Sequence, residues 1–214
     1  MSGGLYERVL GAGTGESFAG VVVGVVSNIK DPDGLGRVRL RLPWLADDVE
    51  TDWARVAAPM AGNGSGARFQ PRLGDEALIA FEHGDPGTPY VIGWLWSRTD
   101  KPPEPDPQGK GDVQVLRSRS GHVVRLDDTA GKERVEIIAK GAKSSIVIDI
   151  GKQTVTITGE KDVVVEAANG RLTMHAKAGV EITSDAAVKI AGRQGAEVTG
   201  GSKLTLKGGV VEIN

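Results

Sequence analysis

The chain has 214 residues and a formal net charge of −2. This length fits one ordinary domain or two small ones, and the charge gives no general attraction to nucleic acid or anionic membranes. The absence of cysteine excludes disulfides, thiol nucleophiles and cysteine metal sites. No stretch approaches the ~18 apolar residues of a transmembrane helix. The first twenty residues lack the apolar run of a signal peptide, so we expect synthesis in the cytosol without one.

Aromatic residues divide the chain into two halves. Every Trp, Phe and Tyr lies at or before Trp96, and the more than one hundred residues that follow contain none. Residues 1–108 hold 10 Lys/Arg and 15 Asp/Glu, whereas residues 109–214 hold 16 and 13. The division falls at residues 101–107 (KPPEPDP), a Pro-rich segment that predicts an extended, semi-rigid spacer. Aromatic side chains supply much of ordinary core burial, so the two halves must be stabilised differently.

The first half predicts a small β-barrel. Breaker sequences separate short runs of β-forming residues at 21–26, 37–42, 53–58, 77–82 and 90–95. The run RVRLRL at 37–42 alternates strictly, which turns its aliphatic residues towards a core and its arginines outward. Five short strands with long loops favour an OB-type Greek-key barrel. A five-stranded sandwich fragment fits the pattern nearly as well.

The second half carries a short repeat. From Val135 onward, pairs of apolar residues two positions apart recur about every eight or nine residues, with glycine between most pairs. One strand and one turn per unit is typical of a solenoid. The residues expected to face a common core are Val155, Ile157, Val163, Val165, Leu172, Met174, Val180, Ile182, Val188, Ile190, Val198, Leu204, Leu206, Val211 and Ile213.

One such unit cannot hold itself together. Its two inward side chains contribute roughly 1.5–3 kcal/mol each if fully buried, whereas ordering its eight residues costs on the order of 1.5 kcal/mol per residue. Stacking must supply the difference. Either one chain coils with three units per turn, or three chains share a triangular core. A single-chain coil of about three turns has a thin core and two open ends, so the pattern favours the trimer.

Ordered motifs along the chain resemble a known family. They are GRVRLRLPW at 36–44, WARVAAPMAG at 53–62, FQPRLGDE at 69–76, FEHGDP at 81–86, YVIG at 90–93 and RSRSGHVVRLDD at 117–128. The series resembles phage baseplate assembly protein V and the VgrG spikes of type VI secretion, the central spikes of contractile injection machines. The resemblance spans roughly residues 20–214. In that family the OB barrel sits on a hub protein and the C-terminal repeats form a trimeric β-helical needle.

The resemblance implies an all-β chain divided into an N-terminal extension (1–19), an OB-fold domain (20–97), a Pro-rich linker (98–112) and a needle (113–214). Fewer than twenty residues precede the barrel and no lysozyme domain follows it, which implies the short spike form. We therefore expect a homotrimer in a phage or phage-like baseplate that punctures the target envelope mechanically.

Two partners are expected at the ends of this homotrimer. A separate hub protein is expected on the barrel side. The C-terminus has no closely spaced histidines with which to build a metal-bound point. A PAAR-type tip protein is therefore expected against Val211, Ile213 and Asn214.

No residues predict catalysis, a cofactor or a metal. Glu82, His83 and Asp85 lie where a strand end runs into the GDPG sequence at 84–87 and are expected in a turn. His122 and His175 are isolated, and Asp127-Asp128 is expected to close a strand. A cell-wall hydrolase is disfavoured because no paired carboxylates are placed at a cleft.

The alternative function is an oligonucleotide-binding OB module, since Arg37, Arg39 and Arg41 share one strand face. Single-strand sites usually add aromatic stacking platforms to a positive groove. We expect no aromatic residue on this face, and the barrel half is acidic. The sequence therefore favours a structural protein that is not an enzyme and does not bind nucleic acid.

Overall fold

The computed structural model describes residues 20–46 and 48–212. The predicted extension 1–19 lies outside the described residues, as do Asp47, Ile213 and Asn214. The regular structure of the described residues is β-strand, apart from one 3-10 turn at Glu82–Gly84. None of its helical segments is long and apolar enough to cross a membrane. The expected all-β class is confirmed.

The first seven strands form a barrel and a small hairpin. Their bounds are β1 Val21–Asn28, β2 Arg39–Arg41, β3 Arg55–Val56, β4 Ala61–Gly62, β5 Ser65–Gly66, β6 Glu76–Phe81 and β7 Pro89–Leu95. The barrel sheet has the order β2-β1-β6-β7-β3, and β3 runs parallel to β7. All five predicted runs contain a strand, although β2 and β3 are shorter than expected.

Backbone hydrogen bonds close this sheet into a ring. Val38 and Ala54 exchange bonds of 2.8 and 3.0 Å, and Thr51 N–H donates to the Leu40 carbonyl at 2.8 Å. The segment before β3 therefore pairs with β2, the strand at the far end of the sheet order. This closure distinguishes the barrel from the sandwich fragment that the sequence left open.

The barrel core is aliphatic. β6 alternates strictly, with Ala77, Ile79 and Phe81 buried. Gly24 occupies an inward position on β1. A larger residue would not fit there, because its Cβ would stand 2.5 Å from Ile79 Cδ1. The buried Thr51 hydroxyl accepts from Leu40 N–H and donates to the Asp52 carbonyl, so it costs little to bury.

The glycine-rich stretch at 61–66 contains a small hairpin. It forms the two-stranded hairpin β4–β5, with Ala61 opposite Gly66 and Gly62 opposite Ser65. Gly66 has φ +141°, and a Cβ there would stand 2.5 Å from the Met60 carbonyl oxygen. Glycine is needed for this close approach of two backbones.

A second antiparallel sheet follows the barrel. It contains β8 Val113–Arg117, β9 Val123–Asp127, β10 Arg134–Ile138, β11 Ser145–Asp149 and β12 Thr154–Thr158. The strands lie in chain order, each paired with the next. Gly121, Gly131 and Gly141 adopt positive φ in the connecting turns. The sheet is thus a meander formed by one chain.

Residues 162–214 form a separate unit. Its described residues, 162–212, contain no assigned strand, and every one of them is exposed. The repeat that the sequence predicts here is therefore not assembled within a single chain.

Candidate assembly interface

One side of the β8–β12 sheet is entirely aliphatic apart from Gln114. We call the following residues the aliphatic face: Leu116, Val124, Leu126, Val135, Ile137, Ile146, Ile148, Val155 and Ile157. They share one side because side chains alternate along each strand and the register places them opposite one another. All nine are exposed, by 37–67% of their surface.

The register arranges these side chains in two columns across the strands. One column runs Leu116–Val124–Ile137–Ile146–Ile157, and the other runs Leu126–Val135–Ile148–Val155 with Gln114 at its end. Directly opposed side chains in antiparallel strands lie about 4.5–5.5 Å apart at Cβ and contact each other. The columns are continuous ridges that the described chain leaves uncovered.

The other side of the sheet carries a charge network. Arg125 Nη1 lies 3.0 Å from Glu136 and 3.1 Å from Asp127. Arg134 lies 3.7 Å from Asp127 and 3.6 Å from Glu136. The side chains of Asp127 and Glu136 are only 4% and 9% exposed. Two cations therefore balance two buried carboxylates, as burial of charge requires.

The network favours the charged states of Asp127 and Arg125. Hydrogen bonds from Thr129 lower the pKa of Asp127, and the nearby charges of Arg125 and Arg134 add to this effect. Burial alone lowers the pKa of Arg125, but its hydrogen bond to Glu136 and the surrounding carboxylates outweigh burial and raise it. This side of the sheet carries buried, paired charges, unlike the aliphatic face.

The barrel surface contradicts one sequence-based expectation. An aromatic residue does lie among the arginines, because the guanidinium carbons of Arg37 and Arg39 lie 5.9 and 5.2 Å from the centroid of the Trp53 ring. Arg37 is also paired with Asp31 at 2.7 Å and with Asp33. Trp53 is far from Arg37 in sequence, and only closure of the barrel brings them together. The Trp53 ring contacts the protein's own arginines, which disfavours its use as a stacking platform for a nucleic-acid base.

Residues 22–96 match the family model of the type VI secretion system/phage-baseplate injector OB domain. The barrel is therefore similar to an injector OB domain, and the OB expectation is confirmed for this part of the chain.

Curated relatives extend the similarity beyond the injector OB domain. The chain is 34% identical over 142 residues to the type VI secretion system spike protein VgrG4b of Pseudomonas aeruginosa, covering 62% of this chain and 17% of the relative. It is 30% identical over 117 residues to the spike protein VgrG3 of Vibrio cholerae, covering 50% and 11%.

A third relative, named the actin cross-linking toxin VgrG1 of Vibrio cholerae, is 31% identical over 117 residues, which are 50% of this chain and 11% of the relative. The chain spans less than a fifth of the length of these proteins. The resemblance to VgrG-type spikes is confirmed.

Within the barrel, the Glu82–Asp85 cluster lies in a turn. His83 adopts φ +51°, Glu82 accepts from the Tyr90 hydroxyl at 2.8 Å, and Asp85 accepts from Gly87 N–H at 2.9 Å. Outside the barrel, His122 Nδ1 accepts from Lys140 N–H at 3.1 Å. Across residues 20–46 and 48–212, no three His, Asp or Glu side chains are grouped to hold a metal ion.

The predicted core residues within the described chain fall into two groups, and Ile213 lies outside it. Val155 and Ile157 lie on the aliphatic face. Those from Val163 to Val211 lie in residues 162–212, where each is exposed by half or more and none is brought into a sheet. Sequence reasoning missed the earlier part of the face, although Val124 and Leu126 already show the two-residue spacing.

Proposed function

We propose that the chain is the trimeric central spike of a contractile injection baseplate. Three β8–β12 sheets pack their aliphatic faces around a threefold axis, and residues 162–214 continue the assembly as a triple-stranded β-helical needle. The observation that carries this proposal is the aliphatic face itself. Contiguous exposed apolar surface of this kind marks an interaction site in soluble proteins.

The narrowness of the face favours three copies. Each strand contributes at most two side chains, one two-residue step apart, so the face is only about 7 Å wide along the strand. Three faces this narrow close into a prism in which every inward side chain reaches the axis. The names of the relatives as spike proteins support the spike role. The polar network around Arg125 lies on the opposite side, which remains outward.

The free edge of β12 supports continuation of the needle. An edge strand presents unpaired N–H and C=O groups, which invite a further strand. Val163 and Val165 repeat the two-residue spacing of Val155 and Ile157 directly after this edge. Because the described residues 162–212 are exposed throughout, their aliphatic side chains need other chains to be buried.

The barrel end of the spike would dock on a trimeric hub protein. The acidic segment around Asp47, Asp48, Glu50 and Asp52 is proposed to contact the hub or neighbouring subunits. A PAAR-type tip protein would cover the C-terminal edges, with Val211, Ile213 and Asn214 as the contact residues. The target membrane is contacted only mechanically, and we assign no catalytic role.

Deletion of residues 1–97 tests docking through the barrel. The fragment 98–214 is expected to trimerise but to be absent from particles purified from the producing bacterium, whereas the full chain is incorporated. A second truncation, of residues 203–214, is expected to leave the rod trimeric and abolish tip-protein binding. Normal incorporation of fragment 98–214 contradicts docking through the barrel.

A further inference from the structure

The C-terminal part of the linker folds into a closed loop. Asp106 accepts hydrogen bonds from the N–H groups of Lys110 at 3.1 Å and Gly111 at 2.7 Å. Gly109 N–H donates to the Asp106 carbonyl at 3.2 Å. Residues 106–111 therefore form a closed loop, with Gly109 and Gly111 at positive φ. Composition could not reveal this because the carboxylate of Asp106 organises the turn.

The linker is also attached to the second sheet at two points. Glu104 pairs with Arg125 Nη2 at 3.2 Å, and the two side chains are 35% and 19% exposed. Asp128 N–H donates to the Asp112 carbonyl at 2.8 Å. The two attachments flank the loop closed by Asp106, so both ends of that loop are fixed to β9 and the residue that follows it.

Arg125 is suited to this role by its shape. Its guanidinium is a planar fork, and the sheet binds one nitrogen through Asp127 and Glu136. The other nitrogen, Nη2, faces Glu104. The sheet therefore holds the fork in place before the linker arrives, so little side-chain freedom is lost when Glu104 binds.

Glu104 and Arg125 differ in what their removal does to the charge balance of the sheet. Within the sheet, Arg125 and Arg134 already balance Asp127 and Glu136, and Glu104 is a third carboxylate. Removing the Glu104 charge leaves no buried carboxylate without a cation. Removing Arg125 leaves two buried carboxylates with only Arg134, which is strongly destabilising. Glu104 is therefore an attachment rather than part of the sheet's own stability.

We propose that residues 98–112 are a strap that fastens the barrel to the first sheet of the needle. Glu104 is its anchor, and Arg125 is the positioning residue that receives it. The mechanical purpose rests on the proposed spike function, because a rod driven by a contracting sheath needs a stiff joint where it meets the barrel. A flexible joint would bend under axial load.

Limited trypsin digestion of the purified full-length chain tests the strap. Trypsin can cut after Arg98 and Lys110, which lie inside it. Glu104→Gln is expected to be cut about two- to fivefold faster than wild type at these positions, the range for losing a partly exposed ion pair. The matched control is Glu160→Gln, which removes an exposed ion pair with Lys143 elsewhere on the same sheet and should leave these cuts unchanged.

Native mass of the same samples separates the two proposals. An unchanged oligomeric state with faster cutting in Glu104→Gln supports the strap. Equal cutting rates in Glu104→Gln and wild type overturn it, whatever the oligomer. If all three samples are monomers, the spike proposal fails, whereas the comparison of cutting rates still decides whether Glu104 holds the linker.

Discussion

Ile137 on β10 lies directly opposite Ile146 on β11, and both side chains remain substantially exposed, by 51% and 41%. Aliphatic pairs of this kind normally stabilise a sheet whose face is covered by another layer. The backbone pairing of this sheet is complete between neighbouring strands, but its apolar side has no covering layer among the described residues. Assembly with further copies supplies that layer in our account.

Substitution on the aliphatic face should prevent assembly. Ile157→Asp places three carboxylates around the proposed axis, and burial of unpaired charge costs several kcal/mol. We expect the variant to remain monomeric in size-exclusion chromatography with light scattering.

The matched control for this variant is Thr156→Asp, one residue away on the opposite side of β12. It should assemble as wild type does. Equal assembly of the Ile157 and Thr156 variants would show that the aliphatic face is not buried in the oligomer.

A tight contact inside the barrel predicts a coupled pair of substitutions. Gly24→Ala should destabilise the barrel by about 1–3 kcal/mol, because the new Cβ meets Ile79 Cδ1 at 2.5 Å and the Arg41 carbonyl oxygen at 3.1 Å. Ile79→Val alone removes that Cδ1 and should cost about 0.5–1.5 kcal/mol.

The double variant should therefore be less destabilised than the sum of the two single variants. Denaturation followed by tryptophan fluorescence reports on the barrel, since all four tryptophans lie at or before residue 96. If the losses of stability in the two single variants simply add in the double variant, the contact with Ile79 is not what excludes a side chain at residue 24.

The loop at Asp31 predicts a specific pH dependence. The side-chain hydrogen bond from Arg37 holds the pKa of Asp31 well below its usual range, and backbone N–H groups of Arg37 and Asp33 add to this effect. A depressed folded-state pKa means that the stabilisation is present above the unfolded value, about 3.9. It is lost as the pH falls through the folded value.

Asp31→Asn should therefore lower the melting temperature of the barrel at pH 7, and the difference from wild type should narrow below about pH 4. Asp52→Asn, at an exposed position, serves as a control. It should change the melting temperature little at pH 7 and below pH 4. A difference that stays constant down to pH 2.5 would exclude ionised Asp31 as the source of the stabilisation.

The barrel was predictable because its strands are local patterns bounded by breakers. The alternation of Val38 and Leu40 with arginines predicts which side of the strand is buried. Both aliphatic residues are fully buried in the structure. The position of Trp53 near Arg37 and Arg39 was not predictable from local sequence. It depends on the backbone hydrogen bonds that close the barrel sheet. The same holds for the Glu104–Arg125 pair, whose partners are 21 residues apart.

The repeat was visible in the sequence, but its assembly was not. A spacing of two residues identifies which side of a strand is apolar, as Val155 and Ile157 illustrate on β12. It does not identify what covers that side, because the covering atoms belong to other chains in our account. The structure of a single chain therefore gives the least information about the assembled form of residues 162–212.

The native mass of the full-length chain tests the central claim most directly. Analytical ultracentrifugation at micromolar concentration should give a single species of three times the 22.4 kDa chain mass. Circular dichroism of the same sample should show that strand structure and the trimer are lost together on heating, as in obligate oligomers. A folded species of 22.4 kDa, or a dimer, at that concentration would contradict the trimeric spike.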